Sequence, residues 1–222
     1  PPPEPVRVQD CVAAPACRRP LVAAHSANPM FGPGNSETAY RASIEQGADL
    51  LETDIRVTAD DVPVLLHDDE LSKQTDDCDA LVSESTLEAV KRCTLRPDEG
   101  SGVVLYDPAT LPPQHPVTLE ELVEMSGGRA LVVAEIKSDP TNAALRLVLA
   151  KGWTDRVLFL ADANEAANLR KQSTDAWILL RTRSAADVDA ALAADDPRIP
   201  AFHGDTDWTD AAVLERIHAG GR

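Results

Sequence analysis

The sequence predicts an α/β fold of the (β/α)₈ TIM-barrel class, lacking the eighth strand at its C-terminal end, and three observations carry that prediction. From Ala130 onward, short apolar runs alternate with helical segments, the pattern of parallel strands joined by crossover helices. Residues able to do chemistry stand at the C-terminal ends of several of those runs, where barrels place them. No GxGxxG follows a strand, so an open dinucleotide-binding sheet has no support. The chain of 222 residues suffices for one barrel domain with a sizeable core.

Taken in order, residues 1–20 are Pro-rich and non-periodic, an extended arm expected to remain after removal of a leader. The domain proper runs over 21–222. Leu21 to Ser26 predicts a buried first strand, and the Asn/Pro/Gly loop after it leads to a helix over Ser36 to Gln46, capped by Asn35 or Ser36 and stopped by Gly47. Leu50 to Thr58 and Val62 to His67 predict strands separated by the turn Ala59-Asp60-Asp61. The segment 70–116 loses the pattern and is expected to be an insertion on the barrel rim. Thr118 with Glu121 opens a helix to Ser126 through a capping box. Strands are then expected over Ala130 to Lys137, Arg156 to Ala161, Trp177 to Thr182 and Arg198 to His203. Helices follow each of them, over Asn142 to Lys151, Ala163 to Gln172, Ala185 to Ala194 and Asp210 to Ala219. That makes seven strands, with the C-terminal end expected to be truncated.

The formal net charge of −16 argues against nucleic acid or an anionic membrane surface as a partner, since both are held by clusters of Lys and Arg. No run of 18 or more apolar residues is present, so no transmembrane segment is predicted. Four cysteines, Cys11, Cys17, Cys78 and Cys93, lack the CxxC spacing of a zinc ribbon. They allow three pairings; the economical one joins Cys11 to Cys17 and Cys78 to Cys93. Disulfides imply an oxidising compartment, so a secreted, periplasmic or cell-surface protein is expected.

The candidate site lies between Leu21 and Asp69. His25 ends the first apolar run, Glu52 and Asp54 lie on the second, and His67, Asp68 and Asp69 end the third. Alternation along a strand sends Glu52 and Asp54 to one face and Leu51, Thr53 and Ile55 to the other. Glu135 and Lys137 likewise share a face of a later strand. Three hard carboxylate oxygens on adjacent strand ends suit Mg²⁺ or Ca²⁺, which would supply the positive charge an anionic substrate needs in so acidic a chain. Two imidazoles flanking them could serve as acid and base.

These residues, in this order, resemble the glycerophosphodiester phosphodiesterase family. The matching segments are His25-Ser26-Ala27, Pro33-Gly34-Asn35-Ser36, Gly47-Ala48-Asp49 leading to Glu52 and Asp54, and Val62-Pro63-Val64 leading to His67-Asp68. Thr118-Leu119-Glu120-Glu121 and Glu135-Ile136-Lys137 complete the series. The resemblance implies a metal-dependent barrel hydrolysing a small-molecule phosphodiester to an alcohol and glycerol phosphate. In it, His25 and His67 are catalytic, Glu52, Asp54 and Glu135 hold the metal, Lys137 and Asn35 face the substrate, and Asp68 supports the site from behind. Ser26 stands where the family has Arg, and Gly34 where it has Glu. Arg181 or Arg183, at the end of a later strand, is expected to supply the missing charge. Two rival readings are a phospholipase D or sphingomyelinase D-like enzyme on intact lipid, and a barrel that binds phosphodiesters or a protein partner without turnover.

Overall fold

The computed structural model describes residues 8–13, 20–97, 104–140, 142–205 and 207–221. In chain order the elements are α1 (Val8–Ala13), β1 (Ala23–Ala24), α2 (Glu37–Glu45), β2 (Leu50–Val57), β3 (Pro63–Leu65), α3 (Leu87–Arg92) and α4 (Leu119–Ser126). There follow β4 (Leu131–Ser138), α5 (Ala143–Lys151), β5 (Val157–Ala161), α6 (Ala163–Gln172), β6 (Trp177–Arg181), α7 (Ala185–Ala194), β7 (Ala201–His203) and α8 (Ala211–Ala219). The sheet order is β1-β2-β4-β5-β6-β7, every neighbouring pair parallel, with β3 attached to β2. The architecture is an open, curled sheet surrounded by helices, an incomplete (β/α)₈-like barrel.

Two faces of that sheet are buried separately. The outer face packs under the helices in a core that includes Leu51, Ile55, Val132, Phe159 and Ile178 with Tyr40, Leu122 and Leu145 from helices. The inner face holds Leu131, Val133, Leu158 and Leu160, with Leu50, Trp177 and Leu179 packed against them. This alternation is what strands buried on both sides require.

The structure corrects the sequence reading in three places. Val62 to His67 does not form a barrel strand: β3 is antiparallel to β2, pairing Ile55 with Leu65 and Val57 with Pro63. The cause is the length of the connection, because residues 58–62 suffice for a hairpin whereas a parallel return needs a dozen residues or more. Only six strands are therefore parallel among the described residues, so two of a complete barrel's eight, rather than one, have no counterpart there. The first strand also shortens, from Leu21–Ser26 to Ala23–Ala24, because Ser26, Ala27 and Asn28 take left-handed backbone at φ 45, 65 and 61° and turn the chain aside. Finally, part of the arm is helical rather than extended: Val8, Cys11 and Val12 fall at i, i+3 and i+4, and both valines pack on the inner-face core.

Leu71, Val82, Val90, Cys93 and Leu95 pack with Val64 and Leu66 in a second small core, and the Cys78–Cys93 disulfide cross-links this part of the chain. Cys11 is also disulfide-bonded; its expected partner, Cys17, lies outside the described residues. Among the described residues no helix is long and apolar enough to cross a membrane.

Candidate active site

Strand register brings the site together. Ala24 is level with Leu51, so His25 leaves β1 beside Glu52, and Asp54 is level with Glu135 on β4. Carboxylate oxygens of Glu52, Asp54 and Glu135 all lie within 4.8 Å of one another. Glu52 is 8% exposed and Asp54 1%. Like charges this close and this dry repel, so each needs a partner.

Two of the three find one. Asp54 accepts from Asn35 Nδ2 at 3.1 Å and lies 3.3 Å from Lys137 Nζ. Glu135 Oε1 accepts from Lys137 Nζ at 2.8 Å and lies 3.0 Å from an Arg181 guanidinium nitrogen. Burial works to raise the Glu135 pKa, but the bonds from Lys137 and Arg181 outweigh it and hold the carboxyl below its ordinary value. Burial likewise works to lower the Lys137 pKa, and Glu135 and Asp54 together raise it instead.

Glu52 is different. Its Oε2 accepts from the Ser26 backbone N–H at 2.9 Å, while its Oε1 is buried with no hydrogen-bond partner. Burial raises its pKa, the Ser26 bond opposes the rise, and the Asp54 charge adds to it. A cation at Oε1 would satisfy that atom. Ca²⁺ binds oxygens at about 2.3–2.6 Å and Mg²⁺ at about 2.0–2.1 Å, so the three carboxylates are close enough to share one ion of either kind. The donor set and the orphaned oxygen thus fit a hard divalent cation. A second grouping, Asp77, Cys78 and Cys93, does not fit one, since both sulfurs are committed to the disulfide.

Residues outside the sequence motifs set this geometry. The buried Tyr40 hydroxyl lies 2.8 Å from Asn35 Oδ1 and 2.7 Å from Thr53 Oγ1. Those hydroxyls engage the amide oxygen, so the amide NH₂ is turned to Asp54, which can only accept. Burial raises the tyrosine pKa well above its ordinary value and keeps this hydroxyl protonated. Tyr40 gave a signal in the sequence, because a tyrosine on the apolar face of a helix needs a partner for its hydroxyl. The left-handed turn at 26–28 has a role too, since it aims the Ser26 N–H at Glu52.

Both histidines line one cleft of about 480 Å³, with Ser26, Gly34, Asn35, Asp68, Lys73 and Gln74. His25 Nε2 is 3.9 Å from Glu52 Oε2, and its side chain is 84% exposed. His67 Nδ1 is 3.5 Å from Asp68 Oδ1. The His67 backbone is clamped: its carbonyl accepts two bonds from the Arg56 guanidinium, and its N–H donates to Gln74 Oε1 at 3.1 Å. Gln74 Nε2 completes the clamp by donating to the Asp68 carbonyl at 3.0 Å. Neither Gln74 nor Arg56 was marked by the motif spacing. Of the two arginines expected near the cluster, Arg181 is there; Arg183 is 72% exposed and lies 3.8 Å from Asp162. Asp139, two residues beyond Lys137, accepts from the Ala143 and Ala144 N–H groups at the start of α5.

A (β/α)₈-like barrel with a buried carboxylate cluster and two imidazoles beside it defines a barrel protein with a polar site fit to hold a divalent cation. The chain belongs to the glycerophosphoryl diester phosphodiesterase family, whose model matches residues 25–217. Among curated relatives, a human glycerophosphoinositol inositolphosphodiesterase is 40% identical over 57 residues, 26% of this chain and 11% of that protein. The chain thus matches only a small part of that relative's length. Among solved structures, a glycerophosphoryl diester phosphodiesterase from Parabacteroides distasonis superposes with a TM-score of 0.76 at 19% identity, over 97% of this chain and 75% of that one. An Oleispira antarctica phosphodiesterase in complex with the product sn-glycerol-3-phosphate gives 0.71 at 22% identity, over 91% and 81%. At these identities the superpositions show a shared fold.

Proposed function

We propose that the chain is a divalent-metal-dependent phosphodiesterase that hydrolyses glycerophosphodiesters to an alcohol and glycerol 3-phosphate, with His25 and His67 as its acid–base pair. The observation that carries this reading is Glu52 Oε1, a buried carboxylate oxygen without a partner, in a cluster of three carboxylates beside a cleft flanked by two imidazoles. Glu52, Asp54 and Glu135 would hold Mg²⁺ or Ca²⁺, which supplies Lewis-acid polarisation of the phosphoryl oxygens when bound.

Charge balance supports the same assignment. Three carboxylates against Lys137 and Arg181 leave the cluster with one net negative charge, which would repel a phosphodiester. A dication reverses that sign to one net positive, matching the single negative charge of the substrate. Lys137 and Arg181 orient and neutralise on the phosphate side, and Asn35 keeps Asp54 in place. One imidazole takes the proton of the attacking oxygen while the other gives a proton to the leaving alkoxide, each within the same cleft. The Arg56 and Gln74 clamp holds His67 for its share. The disulfide supports an oxidising, extracytoplasmic setting for this chemistry.

The test is release of glycerol phosphate from glycerophosphocholine with and without a chelator, in wild type, Glu52→Ala and His25→Ala. Turnover lost on chelation, restored by Mg²⁺ or Ca²⁺, absent from Glu52→Ala and lowered by about 10²–10⁴-fold in His25→Ala is the expected result. Turnover indifferent to chelator would overturn the metal assignment, and cation binding without any turnover would make the chain a binder.

A further inference from the structure

One wall of the cleft comes from the disulfide-bonded segment after Asp69, and it contributes two basic side chains to a cleft in an acidic chain. Two stretches of that segment lie side by side: Thr75 bridges Leu95, the Arg96 N–H donates to the Gln74 carbonyl at 2.9 Å, and the Asp76 N–H donates to the Thr94 carbonyl at 3.0 Å. This pairing sets Lys73 and Arg96 on the same wall, in the cleft shared with His25 and His67. Arg96 is held in position, Nε donating to Asp76 at 2.9 Å and an Nη group to the Thr75 carbonyl at 2.6 Å. Lys73 is not held. Its Nζ is 3.8 Å from Glu70 and 4.0 Å from Asp69, both too long for hydrogen bonds, and its side chain is half exposed. Such pairs contribute little and yield readily to a better anion.

In a chain of net charge −16, Lys73 and Arg96 both line this cleft, together with the Asp68 carboxylate; Arg96 is paired with Asp76, which leaves Lys73 as the cation open to a ligand. No Phe, Tyr or Trp lines the cleft among the described residues, so nothing there suits a quaternary ammonium, which is recognised on aromatic faces. The glycerol part of a glycerophosphodiester is uncharged, so a lysine at this wall can discriminate only through the alcohol. Resting on the phosphodiesterase reading above, we propose that Lys73, backed by Arg96, selects glycerophosphodiesters whose leaving alcohol carries a second anionic group. Lys73 approaches that group directly. The rigid lobe fixes the spacing, because Gln74, the next residue, is bonded to the His67 and Asp68 backbone.

The experiment compares glycerophosphoinositol with glycerophosphoinositol 4-phosphate, which differ by one phosphate, in wild type, Lys73→Gln and Lys73→Glu, each checked for unchanged thermal unfolding. Wild type is expected to favour the phosphorylated substrate by about tenfold in kcat/KM, and Lys73→Gln to lose about that factor. Lys73→Glu should reverse the order. The change should appear in KM rather than kcat, and the wild-type preference should shrink as salt rises. Equal use of both substrates by wild type, or an unaltered ratio in the Lys73 variants, would overturn the proposal while leaving the phosphodiesterase reading standing. If wild type with Mg²⁺ or Ca²⁺ hydrolyses neither substrate nor glycerophosphocholine, both readings fall together.

Discussion

Replacing Glu52 by Gln keeps the size of the side chain and removes its charge, and the consequences should run in opposite directions with and without a divalent cation. In the absence of one, wild type carries a buried oxygen with no partner beside two other carboxylates. An unsatisfied buried group costs about 1–3 kcal/mol. The glutamine can keep an oxygen on the Ser26 N–H and offer donors where Oε1 was, so in chelator Glu52→Gln should be the more stable protein by that amount. For a domain of this size the gain corresponds to about 2–12 °C in Tm. The pH dependence has a definite sign. The folded pKa of Glu52 is raised above the unfolded value, chiefly by burial. Its ionisation therefore costs stability as pH rises through the unfolded value of about 4.3 and levels off above the folded one, so the variant's advantage fades in acid. With cation present the order inverts. At a concentration 100-fold above Kd, binding stabilises wild type by about 2.7 kcal/mol, roughly 5–10 °C, and the variant should gain little. Thermal unfolding followed by circular dichroism, in chelator and in Ca²⁺ or Mg²⁺, reads both effects. A variant destabilised in chelator, or one shifted by cation as much as wild type, would mean that Glu52 is not an unsatisfied ligand waiting for an ion.

Three further expectations follow from the same geometry. His25→Ala and His67→Ala should each lower turnover by about 10²–10⁴-fold while keeping the cation-induced thermal shift, because neither is assigned to the ion; steady-state kinetics beside melts check this. Tyr40→Phe should cost about 1–2 kcal/mol in chemical denaturation, since it strips a hydroxyl from the buried Asn35–Thr53 network, and should weaken cation binding by loosening Asn35 from Asp54. Glu121→Gln should cost about 0.5–1 kcal/mol at neutral pH, because Glu121 closes the capping box of α4 and pairs with Lys91. Burial opposes the ionised form of Glu121, but Lys91 and the Thr118 N–H outweigh it and lower the pKa. That contribution is present above the unfolded value and lost as pH falls through the folded one, so the two proteins should converge in acid.

Local signals in the sequence reached the elements and the principal site residues, and stopped where contacts span long separations. The capping box at Thr118 and Glu121 forms as the spacing implies. The alternation on β2 and β4 brings Glu52, Asp54 and Glu135 to one side, because period two is a local property of extended chain. Strand direction is not local: Val62 to His67 has the composition of a barrel strand, and only the short connection before it dictates the antiparallel pairing. The left-handed turn at Ser26 carries no glycine to announce it, and it is tied down by distant groups, Glu52 on the Ser26 N–H and the Ser43 hydroxyl on the Ala27 carbonyl. Gln74 and Arg56 act through the backbone of His67, a role that no side-chain motif records.

Cation binding by the three carboxylates is read most directly from a crystal structure of the protein grown with Mn²⁺, whose anomalous scattering marks the ion's position. One strong peak is expected at bonding distance from oxygens of Glu52, Asp54 and Glu135 together, with Glu52 Oε1 among the ligands. A peak elsewhere, or no peak while Lys137 still bridges Asp54 and Glu135, would contradict it.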